Sequence, residues 1–253
     1  MIAAASTWRF RVHESLPSTS DLLRALAEAG EPEGLAVLAR RQTAGRGRSG
    51  RAWDSPVGNL HLSALLRPRG TPARDLPGWS LLAGVALAEA LAPLLPDPSR
   101  LSLRWPNDLL LDGAAKCAGV LVDAADDGAG GTAWIVIGFG ANLAAAPDLP
   151  DGRPTASLGV ALPPEAVAAR VLDSLDRWRR VRLLDGFAPV RAAWVARGPA
   201  LGTAIAVRGP RGLPVAGRYD GLSDDGRLLL ATGGRVHALA AGELLPPPAE
   251  GDD

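Results

Sequence analysis

At 253 residues, 47% of them hydrophobic, the chain is long enough to bury a full core without disulfides or structural metals. Its 27 basic and 27 acidic residues cancel, which excludes a global field drawing it to nucleic acid or a membrane surface, so any anion site must be local. A single cysteine, Cys117, excludes an intrachain disulfide scaffold and points to a reducing compartment, the cytoplasm by default.

The first residues lack the basic region, apolar run and small-residue cleavage site of a signal peptide. Ser18-Thr19-Ser20-Asp21 precedes Leu22, Leu23 and Leu26, and Gly30 follows; this predicts a capped helix with its acid at the positive end. Leu35 to Arg40 reads as a buried strand. Arg40 to Arg51 is rich in arginine and glycine and has no acidic residue. From Asn59 to Leu66 the residues Leu60, Leu62, Ala64 and Leu66 alternate, predicting a strand with one apolar face. Gly78 to Leu95 reads as a long buried helix; its apolar stretch from Leu81 is shorter than a bilayer span and carries Glu89, so no membrane crossing is expected.

Short strands follow at Leu101 to Trp105, Leu109 to Leu111, Ala118 to Val122 and Trp134 to Phe139, with turns at Asp112-Gly113 and Asp126 to Gly131. With helices at Pro164 to Arg182 and Gly186 to Arg197, they predict an α+β domain over residues 1–198, its helices packed on a mixed or antiparallel sheet. After Gly198-Pro199 the texture changes. Thr203 to Arg208, Val215 to Leu222, Arg227 to Thr232 and Val236 to Leu239 are separated by Gly209-Pro210, Asp225-Gly226 and Gly233-Gly234, which predicts a small β-barrel over residues 199–246. A Pro-rich, acidic, frayed tail is expected over residues 247–253.

The composition has one outlier: 26 of the 27 basic residues are arginine and Lys116 is the only lysine. There is also one glutamine, Gln42, and three asparagines, Asn59, Asn107 and Asn142. All of them fall within or beside loops and strand ends. In Gln42 to Trp53, glycines let backbone N–H groups approach an anion, Arg46, Arg48 and Arg51 add forked donors for carboxylate or phosphate, and Trp53 offers a stacking face. A solvated, RNA-binding loop is the competing reading of that segment. Pro106 breaks strand pairing, so Asn107 and Asp108 project from a strand end, where an amide can read a base and a carboxylate can hold Mg²⁺. An ordinary turn is the alternative there. Lys116, entering a strand near Gly119, suits an anionic ligand or, alternatively, the surface; Cys117 beside it reads as a small buried residue.

Gly45 to Arg51 with Trp53, then Trp105-Pro106-Asn107-Asp108, then Lys116 with Ala118-Gly119-Val120-Leu121, then Gly138-Phe139-Gly140-Ala141-Asn142, together resemble the ordered signature of biotin protein ligases. The resemblance covers essentially the whole chain. It implies the biotin/lipoate ligase-like catalytic fold with a C-terminal SH3-like barrel, activation of biotin by ATP to biotinyl-5'-adenylate, and transfer of biotin to a lysine of a biotin carboxyl carrier domain. It further implies that Ser18, Thr19, Gln42, Gly45, Arg46, Gly47, Arg48, Lys116 and Gly119 bind biotin. Arg48, Arg51, Trp53, Asn107 and Asn142 would bind ATP or the adenylate, Lys116 and Arg48 would act in catalysis, and Asp108 would hold Mg²⁺. The catalytic pattern begins by residue 18, so the N-terminal DNA-binding domain of bifunctional members is not expected, nor is nucleic-acid binding; a homodimer is compatible with the resemblance.

Two positions depart from the family pattern: Ser20 stands where asparagine is usual, and Arg104 where lysine is usual. Lipoate ligase shares the fold and the adenylate chemistry but lacks the arginine loop with its tryptophan. A catalytically idle biotin sensor is separated from a ligase by ATP–pyrophosphate exchange.

Overall fold

The computed structural model describes residues 8–68, 71–72, 75–149, 152–209 and 212–245; the expected tail, the first seven residues and Pro210 lie outside them. In chain order the N-terminal part runs β1 (Arg9–His13), α1 (Thr19–Glu28), β2 (Leu35–Ala39), β3 (Leu60–Leu66), α2 (Leu76–Leu91), β4 (Leu101–Arg104), β5 (Asp108–Leu111), β6 (Ala115–Asp126), β7 (Thr132–Ala141), α3 (Pro164–Asp185) and α4 (Ala188–Val195). The strands form one seven-stranded sheet in the order β1-β2-β3-β7-β6-β5-β4. Only β1 and β2 pair in parallel, so the sheet is mixed.

β3 is buried along its whole length, where the alternation predicted only one covered face. The period of two is still there, and it sorts the strand between two cores. Leu60, Leu62, Ala64 and Leu66 enter the large cluster with α2 and α3. Leu65 joins Leu23, Ala27, Leu35, Val37, Trp134 and Val136 in a smaller cluster beneath α1. His61 and Ser63 share that second face and are almost fully buried polar residues. The functional cleft opens beside this small core.

α2 is apolar on all sides because it is enclosed on all sides, against α3, α4 and the sheet. With the following turn it is long and apolar enough to cross a membrane by length and composition, yet 72% of that window is buried inside the protein. Its one charge, Glu89, accepts from Trp178 Nε1 at 2.9 Å and pairs with Arg177.

The C-terminal strands are β8 (Ala204–Arg208), β9 (Pro214–Leu222), β10 (Leu228–Thr232), β11 (Arg235–Leu239) and β12 (Glu243–Leu245). They pair as a five-stranded antiparallel sheet in the order β11-β10-β9-β8-β12, the β-rich C-terminal unit that the change of texture predicted. Its end strands are not paired with each other among the described residues. Val207, Tyr219, Leu228, Leu230 and Leu244 continue the large core that holds Trp105, Leu81 and Trp194, so one apolar interior runs through both sheets.

Candidate functional site

A row of four residues crosses the sheet in register on the face that carries α1: His61 of β3, Gly140 of β7, Gly119 of β6 and Asp108 of β5. Two glycines in the middle of that row leave a trough between the imidazole and the carboxylate. In the neighbouring row, Ser63 faces Gly138 and Gly138 faces Leu121. These glycines are there for space: a Cβ on Gly140 would lie 2.5 Å from the Trp53 ring, and one on Gly138 2.7 Å from Ser20 Oγ. The result is a cleft of about 470 Å³ lined by α1, the arginine loop, the ends of β4 to β7 and the β8 and β12 strands.

One end of the cleft is a nest of small hydroxyls. Ser18 Oγ caps α1 by accepting from Asp21 N at 3.3 Å. Gln42 Oε1 accepts from Thr19 N at 2.8 Å and from Thr19 Oγ1 at 3.1 Å, while its Nε2 donates to Ser55 Oγ at 2.9 Å. Thr19 Oγ1 and Ser20 Oγ lie 2.7 and 3.0 Å from Ser63 Oγ. Each hydroxyl can donate and accept, which suits a ligand group presenting both a carbonyl and N–H groups. Ser63 escaped the sequence reading, and Ser20, read there as a departure, belongs to the same network.

His61 also escaped it. Its Nε2–H donates to the Pro56 carbonyl at 3.1 Å, which leaves Nδ1 unprotonated, buried and without a partner among the described residues. Burial lowers its pKa, against the carbonyl of Pro56 and the charge of Asp54, so the ring is neutral.

The arginine loop folds as a short hairpin. Arg46 bridges Ala52, Gly47 N donates to Arg51 O at 2.7 Å, and Arg48–Gly50 form a single 3-10 turn with Ser49 at φ 56° and Gly50 at φ 74°. Gly45 is required by packing, because a Cβ there would lie 2.4 Å from the Trp53 carbonyl. The three arginines differ in their partners. Arg46 pairs with Asp21 at 2.8 Å and Asp123 at 3.0 Å. Arg51 forks onto Glu243, at 2.8 and 2.5 Å. Arg48 reaches only neutral acceptors among the described residues, Asn107 Oδ1 at 3.2 Å and the Gly242 carbonyl at 3.5 Å. Burial lowers the Arg48 pKa, opposed by Asp108 and reinforced by Arg51, yet a guanidinium stays charged. Arg48 is therefore a cation in the cleft hydrogen-bonded to no carboxylate among the described residues, with Asp108 and Glu243 acting on it only through charge.

Opposite it, Lys116 Nζ lies 2.7 Å from Asp108 Oδ1 and 5.4 Å from the centre of the Trp53 ring. Gly119 leaves room for this pair. Cys117, next in the chain, points into the core, and burial pushes its thiol up to about 12, so it is no nucleophile.

Ser18, Thr19, Gln42, Arg46, Gly47, Arg48, Arg51, Trp53, Asn107, Asp108, Lys116 and Gly119 thus converge on one cleft. Two predicted residues do not line it. Gly45 supports the loop from behind, and Asn142 is buried, its Nδ2 donating to the Ala156 carbonyl at 3.2 Å. Asn107 lines the cleft with both ends of its amide engaged, since Nδ2 donates to the Val120 carbonyl at 2.7 Å while Oδ1 holds Arg48. Arg104, where lysine was expected, has the reach to donate to the Leu244 carbonyl of β12. The C-terminal sheet adds Arg208 and Glu243 to the lining, and the segment after β7 adds Leu149 and Arg153; none of these was singled out from the sequence.

Comparison with known proteins agrees with this arrangement. Residues 12–142 match the model of the Biotin/lipoate A/B protein ligase family. The biotin–[acetyl-CoA-carboxylase] ligase of Paracoccus denitrificans is 38% identical, over 82% of this chain and 88% of that protein. The enzyme of the same name from Mycobacterium tuberculosis is 34% identical, over 97% of this chain and 92% of its own length. In three dimensions the chain is similar to the biotin protein ligase of Aquifex aeolicus solved with biotin and ATP, with a TM-score of 0.77, 26% identity, and coverage of 93% of this chain and 97% of that one. The chain belongs to the biotin/lipoate A/B protein ligase family.

Proposed function

We propose that the protein activates biotin with ATP to biotinyl-5'-adenylate and transfers the biotin to a lysine of a biotin carboxyl carrier domain. One observation carries this reading: Arg48, a half-buried cation hydrogen-bonded to no carboxylate among the described residues, lines the same cleft as the Lys116–Asp108 pair, and the far end of that cleft is a hydroxyl nest. The nest suits the ureido ring, which presents one carbonyl and two N–H groups. The cations suit the two anions that must meet, the biotin carboxylate and the α-phosphate. The names of the relatives support the choice of biotin over lipoate, and of a carboxylase carrier as acceptor.

Activation needs no group of the protein to become acylated, because the nucleophile is the substrate's own carboxylate. The protein aligns the two anions and stabilises charge that grows on the α-phosphate; Arg48 and Lys116 stand where both can do so. Trp53, packed against Gly140 in the cleft lining, would offer a ring face to the adenine. In transfer, the acceptor amine attacks the mixed anhydride and AMP leaves.

Among the described residues no cluster of three or more His, Cys, Asp or Glu could hold a metal by itself. Mg²⁺ needs only one or two carboxylates when phosphates supply the rest, and Asp108, whose buried Oδ1 lacks a well-angled hydrogen bond, fits that part. When bound, Mg²⁺ would shield the charge of the triphosphate. The single buried thiol supports a reducing, cytoplasmic location, and the net charge of zero supports independence from nucleic acid.

The test is transfer of labelled biotin to a carrier domain in the presence of ATP and Mg²⁺, alongside biotin-dependent ATP–pyrophosphate exchange. A folded protein that exchanges pyrophosphate with lipoate and not with biotin would overturn the assignment.

A further inference from the structure

β12 is where the two sheets exchange charge. Arg51 from the loop forks onto the Glu243 carboxylate, and Arg153 Nη1 lies 3.0 Å from the same Oε1. Arg208, directly opposite Glu243 in the β8–β12 pairing, adds a third cation. Burial would raise the pKa of Glu243; the hydrogen bonds and charge of Arg51, with the charges of Arg153 and Arg208, outweigh it and hold the carboxyl below its ordinary value. Three arginines therefore surround one carboxylate on the wall of the cleft.

A guanidinium fork grips the edge of a phosphate in the geometry it uses for a carboxylate. We propose that Glu243 is a resident counter-anion at a phosphate subsite. In the ligand-free protein its carboxylate holds Arg51 and Arg153 in the cleft. It then yields them to the outer phosphates of the nucleotide, or to pyrophosphate. This deepens the adenylation reading and rests on it for the identity of the anion.

The arrangement has two consequences of opposite sign. Seven loop residues carrying three arginines have little apolar surface to bury and repel one another, so a fixed carboxylate keeps the hairpin folded before nucleotide arrives. The same carboxylate must be displaced by a phosphate and so weakens phosphate binding. A Glu243 that merely braced the fold would, on removal, lose loop order and phosphate affinity together.

The experiment is isothermal titration of inorganic pyrophosphate into the full chain, with Glu243→Gln and Glu243→Asp and a thermal melt of each. Glu243→Gln is expected to bind pyrophosphate about two- to fivefold more tightly than wild type, the range given by removing one partly screened like charge. Glu243→Asp, whose shorter arm loosens the fork, should fall between the two. Trypsin should cut the ligand-free loop faster in Glu243→Gln, and pyrophosphate should slow that cleavage to the wild-type rate. Affinity equal to or weaker than wild type in either folded variant overturns the proposal. Because pyrophosphate binding needs neither biotin nor turnover, failure of the ligase reading would show separately, as absent exchange by the wild-type chain.

Discussion

The Lys116 ammonium and the Asp108 carboxylate meet at 2.7 Å over a position, Gly119, where any side chain would press on both. A Cβ there would stand 3.3 Å from Asp108 Oδ1 and 3.4 Å from Lys116 Cε. Gly119→Ala is therefore expected to fold while displacing the pair by a few tenths of an ångström. Biotin-dependent ATP–pyrophosphate exchange should fall by about tenfold, within the cost of small misplacements in a catalytic site. Lys116→Arg should cost more, about 10²–10³-fold, because a broad fork replaces a point charge in a crowded site. Near-wild-type exchange by a folded Lys116→Arg protein would sink the role given to this ammonium.

The loop arginines should separate stability from chemistry. Arg48→Ala removes a cation bound only to neutral acceptors, so the melting temperature should change little while exchange falls by about 10²-fold. Arg46→Ala takes from Asp21 and Asp123 their shared cation; the three side chains are partly exposed and Asp21 keeps Arg24, so stability should fall by about 0.5–1 kcal/mol in a denaturant titration. Equal melting temperatures for the two variants would refute this division.

Gly140→Ala places a methyl 2.5 Å from the Trp53 ring and should push the indole off the sheet. The expected signs are a shift in tryptophan fluorescence and a raised KM for ATP, with the KM for biotin less affected. If both constants stay at wild-type values, Trp53 does not shape the nucleotide side.

His61 makes stability depend on pH in a defined direction. Burial lowers its pKa in the folded chain, so below about pH 6.5, the unfolded value, the unfolded state takes up the proton first and stability falls as pH falls. Above that pH the ring is neutral in both states and contributes no slope. The loss of melting temperature from pH 7 to pH 5 should be smaller in His61→Phe than in wild type; an identical loss would mean that the imidazole titrates freely.

The helices and most strands were legible because their signals are local: a cap at Ser18, a long apolar run at α2, an Asp112-Gly113 turn. β1 and β12 were missed because one is a mostly exposed edge strand of charged and apolar residues and the other is three residues long. β6 proved longer at both ends, since pairing with β5 takes in Ala115 and Lys116 and pairing with β7 holds Asp123 to Asp126 in the strand, although Asp126 reads as the start of a turn. The rare polar residues led to the site, because Gln42 and Lys116 stand out against an arginine-rich background. The glycine-floored row could not be read that way. His61, Gly140, Gly119 and Asp108 become neighbours only through the register of four strands, and Glu243 reaches Arg51 across 192 positions of chain.

Lys116, held by Asp108 inside the cleft, is also the one side-chain amine in the sequence. An enzyme that makes an activated acyl group endangers its own surface, because any exposed lysine is a trap for reagent that escapes. Here arginine fills the other 26 basic positions, on the surface and in the cleft alike, and the lone ammonium is paired inside the cleft. On the proposed chemistry, adenylate that escapes the cleft meets no other lysine in these 253 residues, so little of the protein's own surface competes with the carrier lysine.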